Sequence, residues 1–498
     1  MLIFIIFPIH LYENIDLIKQ INPDYIYLIE EDTYFTKYPF HKAKLCYHRA
    51  TMKFYQDYLT KLNFKCRYFN YNNDTWIKLI KSNNIFMYDP IDHNLRSKIF
   101  SINKNTQMEN SQSFMETLEE LYEYRETHTN KKKYFHDASF YKWQRKRLNI
   151  LIDSNGKPTN NKWSFDKDNR QPFTDNYVTP KILFWTNKYW IDAKKYINTN
   201  FPKNFGLIQD QCIFPLTFEQ NKTHLKHFIK YKLKNFGTFE DATSSSILFG
   251  SHSLLSTSLN VGLITPDYII NTIIKWYHKQ QNNYIQQVEA FIRQIIGWRS
   301  YVRFIYEFHG PEMFNENLLS NGTKLPKSWL TLTPNTGFDF IDELIIKTWD
   351  YGYLHHIERL MYIGNLSLLI ELAPKEIYKW FMICFMDSYE WVMIPNVFGM
   401  SQFSIESISM MTRPYFSSSA YIKKMSDFTS QDIIFKNVNY KWEEIWNALY
   451  YNFIANNSKL LGSIYATALQ VKNFNKLTKE NKKNIHMLAN NYIKHYIK

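Results

Sequence analysis

Two histidines, an arginine, two carboxylates and a Pro-Asn turn fall between residues 355 and 401. His355 and His356 precede Arg359 within about one helical turn, and Asp387, Glu390, Trp391, Pro395, Asn396, Gly399 and Met400 follow. An imidazole titrates near neutral pH and can give or take a proton. An arginine beside it can neutralise a phosphate or a reduced, anionic ring. A carboxylate in an aromatic-rich helix is costly unless it is paired. Together these groups suit a large aromatic anion wedged between helices, with a reactive edge turned toward a second ligand. A histidine pair on a helix also serves as a cap or a satisfied core group, so the residues alone leave both possibilities open.

Three further groupings have residue types fit for chemistry. Ser251, His252, Ser253, Leu254, Leu255 and Ser256 precede Leu259-Asn260-Val261-Gly262. Hydroxyls and free N–H groups at a helix start bind phosphate, and an ordinary serine-rich cap looks the same in sequence. In residues 289–303, EAFIRQIIGWRSYVR, helical spacing puts Gln294, Trp298 and Tyr301 on one face and Arg299 with Arg303 on another. One face would pack on a cofactor while the other meets phosphates. A plain amphipathic helix with surface arginines fits the pattern too. Near the start, His41, Lys44, His48 and Arg49 form a basic cluster that reads either as an anion-binding turn or as a solvated surface.

The elements that must position these groups differ along the chain. Residues 1–130 alternate short apolar runs with amphipathic stretches, which predicts strands at Leu2–Phe7, Tyr25–Ile29, Lys65–Tyr68, Ile85–Tyr88 and Lys98–Ile102 in a Rossmann-like parallel α/β sheet. No GxGxxG occurs, so a glycine-turn dinucleotide site is not supported. Residues 131–200 are polar and basic, with Lys131-Lys132-Lys133 and Arg145-Lys146-Arg147, and read as a connector with exposed turns. From about 201 to 498 helical spacing dominates, which predicts a large all-α domain whose last stretch, Lys472–Lys498, is solvated.

At 498 residues the chain is long enough for two or three cores. Net charge is +14, which favours a polyanion partner, although AT-rich codons for Asn, Ile, Lys, Tyr and Phe give the same lysine and aromatic excess. Cys46, Cys66, Cys212 and Cys384 form no CxxC pair, so neither a zinc site nor a disulfide framework is expected. The apolar start, Met1 to Pro8, lacks a basic n-region and is too short to span a membrane. A soluble, intracellular monomer with no membrane association is the expectation.

Residues 236–303 and 355–427 resemble the bacterial-type (6-4) photolyases and their cryptochrome relatives. The resemblance spans roughly residues 1–460 and is weakest over 70–180. Phe236-Gly237-Thr238-Phe239-Glu240-Asp241-Ala242 before the hydroxyl loop resembles the family's flavin entrance, and residues 289–303 match its GFIRQ-IIGWRE-YVR signature nearly residue for residue. The resemblance implies an N-terminal α/β antenna-type domain, a helical domain holding FAD, and light-driven repair of pyrimidine (6-4) lesions in ultraviolet-damaged DNA. Carried over by position, Ser251, His252, Ser253, Leu254, Ser256, Gln294, Trp298, Arg299, Arg359, Asp387 and Asn396 would hold the flavin. His356 would be the proton donor, with His355, Tyr415 and Glu390 beside the lesion and Arg303 and Met400 touching DNA. His41, Lys44, His48 and Arg49 would hold an antenna of the ribityl-lumazine type. Two alternatives stand: a cryptochrome-like photoreceptor or DNA-binding flavoprotein without repair activity, and a flavin-free interaction protein.

Departures from the family pattern modify these expectations. The family's iron–sulfur cysteines are replaced by Phe340, Thr429, Asp432 and Glu444, so no cluster is expected and apolar packing should take over as the staple. At the family's electron-relay positions stand Leu332, Trp380 and Phe381. Ser300 replaces a glutamate, Leu360 stands where animal-type enzymes carry a second histidine, and Ser404-Ile405-Glu406-Ser407 replaces an ADGG loop. Pro8-Ile9-His10-Leu11 replaces the early Gly-Asp-Gln-Leu, which weakens the antenna expectation.

Overall fold

The first strand is a run of apolar residues buried on both faces, as expected for the centre of a parallel sheet. In the computed structural model, β1 (Leu2–Ile6), β2 (Tyr25–Ile29), β3 (Cys66–Phe69), β4 (Asn84–Tyr88) and β5 (Gln107–Glu109) form a parallel sheet in the order β3-β2-β1-β4-β5. Phe4 of β1 lies opposite Ile26 on one side and Phe86 on the other. The structure describes residues 1–128, 137–281, 283–405, 410–411, 414–428, 431–435 and 438–497. Lys131-Lys132-Lys133, Glu406, Ser407 and Thr429 therefore lie outside the described residues.

The expected strand at Lys98–Ile102 is instead the end of a helix, His93–Ile102. Asp92 decides this locally, because its Oδ1 accepts from Leu95 N at 2.9 Å and caps the helix start. The fifth strand is the short polar segment at residues 107–109. It sits at the sheet edge with two of its three residues exposed, so it has no apolar run to reveal it.

Helices dominate the remainder, with one short antiparallel pair, Asp432–Phe435 with Val438–Lys441. A single apolar cluster runs from β1 through to Tyr492, and a smaller one gathers Phe228, Phe236, Ile270 and Phe291. The basic stretch after residue 137 is not an exposed turn throughout. Arg145 is buried, and its guanidinium donates to the Ile150 and Trp163 carbonyls at 3.2 and 2.8 Å. The C-terminal stretch is also only partly solvated. Tyr492 is buried and its hydroxyl donates to Thr336 O at 2.5 Å. Among the described residues no helix is long and apolar enough to cross a membrane.

Phe340 belongs to an aromatic cluster that ties distant segments together. Its ring stacks on Phe428 at 5.1 Å and meets Trp442 edge-on at 5.1 Å, while Phe338 contacts Trp446 and Tyr492 at 5.2 Å each. Asp432 and Glu444 both engage Lys441, the first through its ammonium and the second by accepting from its backbone N–H. Among the described residues no group of three or more His, Cys, Asp or Glu could hold a metal.

Phe340→Ala removes the central ring of this cluster and leaves a hole between helices. It is expected to cost about 3–5 kcal/mol, read as an earlier midpoint in urea unfolding, while Phe340→Leu should recover part of the loss.

Candidate functional site

Three helices that face one another each contain a stretch in which backbone hydrogen bonds reach one residue further than in an α-helix. These wide turns span Arg293–Arg299, Glu358–Gly364 and Pro395–Ser401. A π turn re-aims the side chains it carries, and such turns favour functional sites. Glycine permits the close packing that results. A Cβ on Gly364 would collide with Ser401 Oγ, and one on Gly399 with Met410 Sδ.

Between these helices lies a cavity of about 1690 Å³. Its wall includes His252, Ser253, Ser256, Gln294, Trp298, Arg299, His356, Arg359, Asp387, Asn396, Met400 and Tyr415, which the sequence had singled out from five separate segments. The first wide turn changes the face arithmetic of its helix. Arg299 shares the cavity wall with Trp298 instead of pointing away with Arg303.

The floor of the cavity is organised around Asp387. Arg359 grips it with two parallel bonds, Nη1 to Oδ1 at 2.9 Å and Nη2 to Oδ2 at 3.1 Å. Ser256 Oγ donates to the same Oδ2 at 2.7 Å, and Asn260 Nδ2 donates to the Asp387 carbonyl at 3.0 Å. Arg359 also donates Nε to Leu354 O at 2.7 Å and lies 4.0 Å from the Phe385 ring centroid. With these three bonds made, two of its five N–H groups remain for a ligand.

Arg299 donates to Asn260 Oδ1 and sits between the rings of Phe114 and Trp391 at 4.7 and 4.8 Å. Burial lowers its pKa to about 10, which leaves it charged at neutral pH. Glu240, on the same wall, is pushed up to about 8 by burial, with Arg293 opposing. It therefore stays largely protonated at neutral pH and can donate as well as accept. Asn396 Nδ2 is tied to Val392 O at 2.7 Å, which fixes that side chain at the wall.

His356 faces the hollow, and the hollow lies deep in the protein. Its ring is exposed to that hollow. That enclosure, with Arg359 adding to it, pushes its pKa down to about 4. His355 does not share this position. It is buried behind the wall, stacked on His252 at 4.2 Å and 11°, with its backbone N–H held by Glu358 at 3.0 Å. His252 remains on the wall, and its Nε2 has no hydrogen-bond partner.

Several expected site residues lie elsewhere. Ser251 is buried and shares a hydrogen bond with the Tyr177 hydroxyl at 2.9 Å, and Leu254 is packed in the core. Glu390 turns away from the large cavity, pairing with Lys37 at 2.6 Å and accepting from Asn94 at 3.2 Å. Arg303 is 0% exposed and donates to Glu116 O at 2.9 Å, so it cannot reach a DNA phosphate. The reason is a face shift: beyond the wide turn, the next helical turn points its arginine into the core between Asp89 and Glu116.

The basic N-terminal cluster is structural in the same sense. His41 caps the helix Lys42–Lys61 by accepting from Ala43 N at 3.0 Å, and its Nε2 contacts Trp349 O at 3.0 Å. Lys44 donates to Ser388 O and, at 2.9 Å, to Ser388 Oγ. His48 shares a 2.7 Å hydrogen bond with the Tyr389 hydroxyl, and Arg49 pairs with Glu30 against the Tyr196 ring. All four are occupied with protein partners. The pocket that reaches Lys44 has a volume of about 20 Å³, room for one water and not for a ribityl-lumazine.

Other wall residues carried no sequence signal. Lys142, Trp163, Asp166 and Arg170 come from the stretch read as a connector, and Thr467 and Gln470 come from beyond the family resemblance. Of the electron-relay positions, Phe381 lines the cavity, Trp380 is buried behind it and donates to Trp329 O at 3.0 Å, and Leu332 is exposed.

Residues 4–212 match the family described as Deoxyribodipyrimidine photo-lyase-related protein. A (6-4) photolyase of Agrobacterium fabrum is 34% identical over 337 residues, covering 66% of this chain and 64% of that protein. The chain thus spans a little under two thirds of that relative's length. Among solved structures, a bacterial class III photolyase from Agrobacterium tumefaciens superposes with a TM-score of 0.54 at 16% identity, over 85% of this chain and 86% of that one. A Synechocystis cryptochrome gives 0.54 at 11% identity, over 100% and 99% of the two chains. At these identities the structures speak for the fold, which is the photolyase/cryptochrome architecture of a parallel sheet followed by a helical domain.

His41 gives the fold a pH signature. Burial lowers its pKa from 6.5 to about 4. The unfolded chain takes up this proton near pH 6.5 and the folded chain only near 4, so stability is full above that window and is lost as pH falls through it. The slope is at most about 1.4 kcal/mol per pH unit for one such group. His41→Asn keeps a capping acceptor that does not titrate, and its urea midpoint is expected to fall less than wild type's between pH 6.5 and 4.5.

Proposed function

We propose, on the match of residues 4–212 to the photolyase-related family and the likeness to a (6-4) photolyase, that this chain is an FAD-dependent lyase that uses blue light to repair pyrimidine (6-4) photoproducts in DNA. One observation carries the proposal. His356, an accessible and titratable imidazole, stands on the wall of a very large cavity that also holds the Arg359–Asp387 pair.

The residues present fit FAD. A cavity of about 1690 Å³ exceeds the roughly 300–1,000 Å³ of ordinary ligand pockets, as a dinucleotide requires. Ser253 Oγ accepts from Leu255 N at 3.3 Å and keeps its own hydrogen to donate to a diphosphate. The two spare N–H groups of Arg359 add polar contacts. Trp298 and Trp391 supply flat apolar walls for aromatic rings. Bound there, FAD would supply an electron donor excited by blue light.

The chain's own residues account for the other requirements. Met400 and Tyr415 offer an apolar and a hydroxyl-bearing surface to a base extruded from the duplex. Lys142, Lys167, Arg170 and Lys424 ring the opening with positive charge for the phosphate backbone. His356 is uncharged at neutral pH in the ligand-free protein. A phosphate-bearing ligand in the cavity favours the imidazolium and raises that pKa, so substrate entry and charging of the proton donor are linked. A cryptochrome-like protein without repair activity would share this cavity, and the assay below separates the two.

Purified protein is expected to be yellow with flavin absorption. With the flavin reduced and under blue light, it should restore a (6-4) lesion in an oligonucleotide, with a rate that falls as pH rises through the pKa of the charged His356. His356→Ala should retain flavin and lose on the order of 100-fold or more of the repair rate. Flavin-loaded wild type that never restores the lesion, with a cyclobutane dimer tested alongside, rules repair out. Asp387→Asn weakens the fork on Arg359 and is expected to lower the flavin content of the purified protein.

A further inference from the structure

Tyr465 is 99% exposed, an extreme value for a residue with so large an apolar surface. One turn along, Leu469 is 64% exposed. Neither is on a loose end. Thr467 is buried, donates Oγ1 to Leu461 O at 2.7 Å, and closes a turn with its N–H on Ile464 O at 3.0 Å. The helix that follows, Ala468–Asn475, is fixed by Phe474 stacking on Tyr451.

This mount stands at the edge of the cavity. Thr467 and Gln470 are both wall residues of the cavity that Tyr415, Phe416 and Lys424 also line. One residue, Ala466, separates Tyr465 from Thr467, so their Cα atoms lie within about 7 Å. Gln470 Oε1 is buried without a hydrogen-bond partner.

Charge identifies the occupant. From Asn457 to Lys479 the chain carries Lys459, Lys472, Lys476 and Lys479 and no Asp or Glu. Lysine is depleted at protein–protein interfaces, whereas exposed aromatics interleaved with lysines are how proteins hold nucleic acid strands. An exposed ring beside a deep hole has a specific use on duplex DNA. It can fill the gap left when one nucleotide leaves the stack, as apolar wedges do elsewhere.

We propose that the turn Ser463–Thr467 is a wedge for duplex DNA: Tyr465 stacks on the base pair next to the nucleotide that enters the cavity, and Leu469 fills the space behind it. The inference deepens the DNA-repair proposal above and rests on it for the identity of the extruded nucleotide. Opening of the duplex by Tyr465 requires no light and no reduced flavin.

The test uses the full-length protein in the dark and a duplex with one T·T mismatch next to 2-aminopurine, whose fluorescence rises on unstacking. Wild type is expected to raise the signal. Tyr465→Ala, with unchanged flavin absorption and unfolding midpoint, should bind the mismatched duplex about tenfold more weakly, roughly the loss of one base stack. Its affinity for an intact duplex should stay unchanged. Tyr465→Trp should behave as wild type. A Tyr465→Ala variant that binds and unstacks like wild type overturns the proposal, as does wild type that leaves 2-aminopurine stacked. Wild type that unstacks the base in the dark yet never restores a lesion in light sinks the repair proposal and leaves the wedge standing.

Discussion

Opposite charges placed at the floor of a deep cavity must satisfy one another, and that requirement shapes the site. Arg359 and Asp387 are 12% and 9% exposed at the side chain and bonded through both carboxylate oxygens. Removing one partner of such a pair strands the other, at a cost of about 3–5 kcal/mol when burial is complete and less here. Everything around the pair keeps it in register. Ser256 and Asn260 hold Asp387 from one side. Lys44, which belongs to the sheet half of the molecule, holds Ser388 from the other. The sheet thus takes part in the chemistry of a cavity that it does not line.

Enclosure sets the protonation of the wall. It keeps His356 neutral and Glu240 largely protonated, and away from the wall burial brings the Lys44 amine down to about 7. Each group is thereby less charged at neutral pH than it would be in water. Such a wall is poised to respond to an incoming anion, because the ligand's own charge is then the strongest local field.

Much of this was legible in the chain. Four strands were visible as apolar runs, and the His356, Arg359, Asp387 and Asn396 spacing led to residues that meet on one wall. The failures have physical causes. Composition cannot separate a solvated basic residue from a buried one with partners, so Arg145, Arg303, His41 and His48 were misplaced. Helical spacing assumes a constant turn and so groups Arg299 with Arg303, whereas the family resemblance had placed Arg299 at the flavin, and it does line the cavity. A short polar edge strand and a wall built from Trp163 and Gln470 leave no periodic trace at all.

The three widened turns bear on how this chain can be compared with others. Each puts an extra residue into its helical turn, at mid-helix in Arg293–Arg299, near the start in Glu358–Gly364 and at the end in Pro395–Ser401, so residue counts across it stop tracking direction in space. A homologue with one residue fewer at Gly297, Gly364 or Gly399 would align well in letters and yet present a rotated set of side chains to the hollow. Small insertions and deletions there therefore deserve more weight in judging shared chemistry than the percentage of matching letters elsewhere.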